Sequence, residues 1–553
     1  MKKIQLFIAL LSLPFLSFSQ DFMWGKNFGG VGEDVVRAMA VDDAGNTYTT
    51  GYFTDISDFD PSEETVSLSS EGFFDIFIQK LDTEGNLVWA KSFGANFFDY
   101  GTGIEVDADG NVYVTGVFQE TVDFDPGSET FELASNGGED IFALKLDSDG
   151  NFVWAASMGS SGYEEPVSIG VDALGNVYLG GYFSQTIDFD PGEEIFEVSS
   201  NGGQDAFVVK LNASGQFLWA GNLGGPEGDI ALGMDVDSAG DMFVTGYFSG
   251  TADFDPTEGE FDVSTIDDLD GFVTKINALG EHVYTASFGG IGTDIAWDVA
   301  LDNEGNAFAA GEFSGDFQTG FDSPVSSAGN SDAFVVKINP FGSVEWAGAI
   351  QGSGFQNAYD VNTDPFGNVV LAGYFGDEAD FDPSDEEVLI SSTSSEPFDA
   401  FVSILSGSGE FIYAGGFGGS NFTEHHGVDT DADGNIYLSA AFQNTVDLNP
   451  SPNEDSEASV VAFRDSYVIK LSAVTALSAD TEEREIVRIY PNPVSDFLLI
   501  DGGMNQTYTI TDLKGKVVAQ GINRGRQLRL DNLRNGLYLL KVEGFQPVKI
   551  VKQ

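Results

Sequence analysis

The sequence predicts an all-β protein, a seven-bladed β-propeller followed by a small C-terminal β-sandwich. Three observations carry that prediction. A block of about 65 residues recurs seven times. Each block contains four short alternating segments joined by turns. From residue 486 onward the repeat stops and a different set of alternating segments begins.

The repeat is fixed by three series in register. An aromatic residue before a Gly-rich exit stands at Trp24, Trp89, Trp154, Trp219, Tyr284, Trp346 and Tyr413, at spacings of 65, 65, 65, 65, 62 and 67. Five of the six tryptophans fill this slot, and Trp297 alone lies outside it. Phe53, Phe118, Phe183, Phe248, Phe313, Phe375 and Phe442 keep the same spacing, as do Asp75, Asp140, Asp205, Asp270, Asp332, Asp399 and Asp465. In the second block, TGIEVD, VYVTGVF, DIFALKLD and FVWAASM read as four strands.

Two hairpins lie within each block. The glycines of the first (Gly45, Gly110, Gly175, Gly240, Gly305, Gly367 and Gly434) suit a left-handed position, and an Asp three residues earlier can bond the turn backbone. The segment DTDADG at 429–434 imitates the start of an EF-hand loop, but Ala440 stands where the closing acid belongs, so it reads as a hairpin. Repetition of a four-stranded unit points to a propeller rather than a solenoid, for no polar capping repeats are present. The blocks resemble the β-propeller repeats common in secreted bacterial proteins, over roughly residues 22–471. The seventh block lacks its W-A strand, while the chain opens with an orphan copy, Phe22-Met23-Trp24-Gly25. That first strand is expected to complete the last blade and close the ring.

The long loop between second and third strands carries Asp-Phe-Asp-Pro at 58–61, 123–126, 188–191, 253–256 and 380–383, decaying to FDSP at 321–324 and DLNP at 447–450. Two readings compete. Asp-Pro starts turns and the Phe can plug between blades. Alternatively, Asp58 and Asp60, Asp123 and Asp125, Asp188 and Asp190, Asp253 and Asp255, and Asp380 and Asp382 present hard oxygen ligands to calcium, helped by acids such as Asp34, Asp99, Glu164, Asp229 and Asp294.

Net charge is −66, and residues 20–485 hold 11 Lys/Arg against 84 Asp/Glu. Such a field repels nucleic acid, whose phosphates demand a basic footprint. The absence of cysteine excludes disulfides and thiolate chemistry. Lys2 and Lys3, the apolar run at 4–16 and the small residues Ser17 and Ser19 predict a signal peptide over 1–19. That run is short for a bilayer, so the chain is expected not to span a membrane.

Residues 472–485 are small, polar and charged, as a linker should be. Beyond them, Tyr490-Pro491-Asn492-Pro493, Asp512-Leu513-Lys514-Gly515-Lys516, Gly536-Leu537-Tyr538 and Lys549-Ile550-Val551-Lys552 occur in order. Residues 486–553 thereby resemble the C-terminal sorting domain of the type IX secretion system of Bacteroidetes. The resemblance implies contact with that machinery, passage through the periplasm, and a final place outside the cell or on its outer surface.

For activity, a non-enzymatic scaffold binding an extracellular protein or glycan is expected, against a hydrolase or lyase acting on polysaccharide. Blade-specific polar residues are the discriminating feature. The conspicuous ones are His425 and His426 beside Glu424, and Trp297. No catalytic residue is assigned.

Overall fold

In the computed structural model each of the first six repeats becomes one antiparallel sheet whose four strands pair in sequence order. The described residues are 17–319, 325–384, 386–392, 398–418, 423–450, 457–459 and 463–477, with 488–490, 497–501, 506–512, 516–522, 524, 528–530, 533–534, 536–542 and 548–552 beyond them. Phe18–Val474 form one compact unit and the residues from Thr475 belong to another. The signal segment at 1–16, the FDSP variant at 321–324 and most of the linker lie outside the described residues.

The second repeat shows the pattern, with strands Tyr100–Val106, Val112–Phe118, Asp140–Leu146 and Phe152–Met158 hydrogen-bonded in that order. Alternation buries Val112, Val114, Leu144 and Leu146 between neighbouring sheets. The seventh sheet takes Thr423–Thr430, Ile436–Phe442 and Asp465–Leu471 from the end of the repeats and Phe22–Gly30 from their beginning. Trp24 pairs with Lys470 and Phe28 with Ser466, the closure expected from the orphan strand. The first strands of successive repeats pack side by side from Asp34–Val41 through to Thr423–Thr430, which packs back on Asp34–Val41. They close a ring.

The repeat slots now have causes. Each slot tryptophan donates its indole N–H to a carbonyl in the second hairpin of the next repeat, as Trp24 does to Thr83 and Trp89 to Ser148. Gly110 and its equivalents adopt φ near +80°. Asp107 of that turn accepts from the N–H groups of Asp109 and Asn111 and from the Tyr113 hydroxyl. In DTDADG, Asp431 does the same for Asp433 and Asn435, so the segment is a hairpin.

Among the described residues of the second unit, from Arg488 onward, the strands fall into two sheets. Arg488–Tyr490, Phe497–Asp501 and Leu528–Arg529 form one, and Val517–Ile522, Thr507–Asp512, Gly536–Val542 and Val548–Lys552 the other. Leu498, Ile510, Leu540 and Ile550 share its core. The Pro491–Pro493 and Leu513–Gly515 portions of the sorting motifs lie outside the described residues.

Candidate ligand site at the mouth of the central channel

Every first strand carries one β-bulge, and all seven bulges fall at the same place. Val36 and Ala38 pair with Gly51 and Thr50, so Arg37 is the extra residue. The equivalent extra residues are Thr102, Val167, Leu232, Trp297, Tyr359 and His426. A bulge breaks strict alternation and re-aims a side chain. All seven line one central cavity of about 890 Å³ bounded by the first strands of every repeat.

A second-strand glycine (Gly51, Gly116, Gly181, Gly246, Gly311 and Gly373) gives this bulge room in six of the seven repeats. A Cβ on Gly51 would sit 2.0 Å from the Val35 carbonyl oxygen, and one on Gly311 would sit 1.9 Å from that of Ile295. The seventh repeat departs from this rule, with Ala440 opposite His425. The side chain of His425 lies outside the described residues.

The bulged residues divide the mouth into two arcs. Repeats two to four contribute Thr102, Val167 and Leu232, whereas repeats five, six, seven and one contribute Trp297, Tyr359, His426 and Arg37 in succession. Trp297 stacks on Tyr359 with ring centroids 4.7 Å apart and planes 23° apart. The Arg37 guanidinium lies 4.8 Å over the Tyr100 ring and 3.8 Å from Glu165 Oε1. Tyr163 and Tyr182 donate their hydroxyls to Glu165 Oε2 at 2.6 and 2.7 Å. Burial alone would depress the Arg37 pKa, but Glu165 and the tyrosines around it more than offset this. Burial raises Glu312, against a hydrogen bond from the Ser331 hydroxyl. Tyr163 and Tyr359 remain 39% and 36% exposed, so the platform faces solvent.

Deeper in the cavity lie Glu105, Asp235, Asp298, Asp360 and Asp429. Burial pushes Glu105 up to about 8, Asp429 to about 7 and Asp235 to about 6. Asp298 is raised by burial and then by Asp360 beside it. Four of these carboxylates reach the next repeat, where Leu301, Val361, Val428 and Val41 donate backbone N–H groups to Asp235, Asp298, Asp360 and Asp429.

The residues singled out for calcium sit elsewhere, in the long loops, and each pair organises its own turn. Asp123 Oδ1 accepts from Asp125 N at 3.1 Å and Phe131 N at 2.8 Å, while Asp125 Oδ1 accepts from Gly127 N at 2.7 Å. Asp58 and Asp60, Asp188 and Asp190, Asp253 and Asp255, and Asp380 and Asp382 repeat this arrangement. The intervening phenylalanines are buried, Phe59 packing on Phe28, Phe53 and Phe77. Among the described residues no group of three or more His, Asp or Glu side chains is placed to hold a metal.

Residues 488–553 match the family described as the secretion system C-terminal sorting domain. An uncharacterised WD repeat-containing protein of Acanthamoeba polyphaga mimivirus is 24% identical over 268 residues, which are 42% of this chain and 19% of that one. The chain spans about a fifth of the length of the curated relatives it matches. Among solved structures, Sqt1 of Chaetomium thermophilum aligns over 83% of this chain and 100% of its own, at 9% identity and TM-score 0.37. PorZ, a bacterial surface component of the type IX secretion system of Porphyromonas gingivalis, aligns over 96% and 100%, at 9% identity and TM-score 0.21. Likeness at that level carries no functional argument. The chain is a β-propeller repeat protein with a type IX sorting tail, and that tail marks it for the cell surface or the extracellular space.

Proposed function

We propose that this protein is a secreted, non-catalytic binding scaffold, a seven-bladed propeller with a small C-terminal β-sandwich, which takes a glycan at the mouth of its channel. The observation that carries the reading is the run of unlike side chains on a repeated bulge. The scaffold repeats, but Trp297, Tyr359, His426 and Arg37 do not, and they are neighbours round the ring. A stacked Trp–Tyr platform offers flat apolar area with polar edges, which suits the hydrophobic face of a pyranose. Arg37 and Glu312 beside it supply a charged donor and an acceptor for hydroxyl groups.

A polymer-cleaving enzyme is the competing reading, favoured by the Tyr163–Glu165–Tyr182 group beside Arg37. Both Glu165 oxygens are engaged by Arg37 and the two tyrosines, which argues for a fixed structural carboxylate. Screening the purified mature protein against a glycan panel tests both. We expect binding without new reducing or unsaturated ends, and at least tenfold weaker binding for Trp297→Ala with Asp123→Asn, in a long loop away from the cavity, unaffected. Binding insensitive to Trp297→Ala rules out the channel-mouth site, and product release from any glycan rules out the scaffold reading.

A further inference from the structure

The third-strand aspartates and the first-strand acids, which the channel site does not use, meet in pairs between repeats. In each pair the third-strand Asp of one repeat faces the acid that opens the first strand of the next, across the Gly-rich exit of the fourth strand. In the Asp140–Glu164 and Asp270–Asp294 pairs one oxygen of each acid is committed to the chain. Asp270 Oδ2 accepts from Ile266 N at 2.9 Å and Asp294 Oδ2 from Gly290 N at 2.8 Å. Asp140 Oδ2 accepts from Asn136 N at 2.8 Å, and Glu164 Oε1 accepts from the Ser160 hydroxyl.

The second oxygens are the unusual ones. Asp270 Oδ1, Asp294 Oδ1, Asp140 Oδ1 and Glu164 Oε2 are buried and accept no hydrogen bond from the chain. All four residues are at least 98% buried. At Gly289 the carboxylates converge, since a Cβ there would meet Asp270 Oδ1 at 2.5 Å and Asp294 Oδ2 at 2.9 Å. Burying a carboxylate with an oxygen unpaired is costly, and two facing each other cost more. Burial, and then the facing acid, raise Asp140 and Asp294 to about 7.

The junction between repeats five and six supplies the contrast. There Gln356 replaces the first-strand acid. Asp332 is fully covered, by Ala328 N at 2.6 Å, Gly352 N at 3.0 Å and the Gln351 amide at 3.1 Å. Pairing alone does not leave an oxygen bare, since at Asp75–Asp99 the Ser70 hydroxyl and the backbone N–H groups of Glu71, Ala95 and Gln119 cover all four oxygens.

We propose that the Asp140–Glu164 and Asp270–Asp294 pairs each bind a hard divalent cation of calcium's kind, completed by backbone carbonyls or water. Carboxylate oxygens without protein donors are what such an ion takes as ligands, and the acidic propeller concentrates cations around itself. The Asp-Phe-Asp-Pro carboxylates, whose Oδ1 atoms accept from turn N–H groups, are separate from these pairs.

The test is calcium titration calorimetry on the EDTA-treated full mature chain, with melting followed in parallel. We expect about two calcium ions per chain and a higher melting temperature in calcium than in magnesium of equal ionic strength. Asp270→Asn and Asp140→Asn should each reduce the stoichiometry by one, and the Asp123→Asn/Asp125→Asn double variant should leave it at two. Near-ultraviolet circular dichroism checks that each variant is folded, and the wild-type stoichiometry decides should one of them unfold. No calcium-specific heat, or loss of binding in the Asp123/Asp125 variant alone, overturns the proposal. Stabilisation by Asp270→Asn with no calcium dependence overturns it too, for it would mean the pair shares only a proton.

Discussion

Phe28→Ala probes whether the first strand of the propeller holds its last sheet shut. Phe28 is 2% exposed and lies on the strand that pairs with Asp465–Leu471. Its ring stands 5.7 Å from Phe59 and 5.8 Å from Phe77, in a cluster with Val36, Phe53, Leu81 and Val468. Truncating such a residue costs about 3–5 kcal/mol when the surroundings cannot collapse. Unfolding entropy near 2.1 cal/mol/K per residue makes about 1 °C of melting shift per kcal/mol for roughly 450 residues, hence about 3–5 °C here. Phe93→Ala is the matched control, because Phe93 holds the same slot one repeat later, 3% exposed and 6.0 Å from Phe124. Guanidinium unfolding followed by tryptophan fluorescence should move both midpoints down by similar amounts. If Phe93→Ala loses about 3 kcal/mol or more while Phe28→Ala stays within about 0.5 kcal/mol of wild type, the terminal strand is frayed in solution and the closure argument fails.

Two further outcomes follow from the same structure. Removing residues 486–553 in the native host should strand a folded propeller in the periplasm, and fractionation that finds it outside the cell would contradict the role of the tail. The channel acids set a pH dependence: Glu105, Asp235 and Asp429 have folded pKa values raised above the usual carboxylate range, so their contribution is intact below about pH 4 and is lost as pH rises through about 6 to 8. Melting temperature should therefore fall across that window, and fall less for Glu105→Gln; a wild-type profile that rises with pH, or an unchanged slope in the variant, would refute the assignment.

What the sequence discloses and what it hides divide along the repeat. The tryptophan slot, the hairpin Asp and Gly, and the orphan strand are legible because each recurs at fixed spacing and each has one physical task. Trp297 is legible for the opposite reason, as the one tryptophan outside its slot. Arg37 could have been found by the same subtraction, since six of the Lys/Arg residues in the repeats (Lys80, Lys145, Lys210, Lys275, Lys337 and Lys470) occupy one third-strand slot and Arg37 does not. The bulge itself is hidden. Two-residue alternation predicts that neighbours point to opposite faces, and no local signal tells the reader that Arg37 and its equivalents interrupt the count. The second-strand glycine is the trace it leaves, and its meaning depends on a carbonyl in the partner strand. The acidic loops show a related limit, because carboxylates at i and i+2 look the same whether they face an ion or a turn.

Two departures from repeat symmetry coincide, and that coincidence is an argument about rigidity. The carboxylate bridges from one first strand to the next run from repeat four to five, five to six, six to seven and seven to one. These are the junctions that carry Trp297, Tyr359, His426 and Arg37. The other side of the ring is held differently, by hydroxyls such as Thr102 to the Pro166 carbonyl and Ser168 to that of Met234. A charge-assisted bond from backbone N–H to a buried carboxylate is stronger than a neutral hydroxyl contact. The stiffer arc thus carries the chemically distinctive side chains, as a binding site needs when it must hold its groups to within a fraction of an ångström. Had the acids served solubility alone, they would lie on the surface with the loop carboxylates rather than in the channel, where burial raises their pKa values.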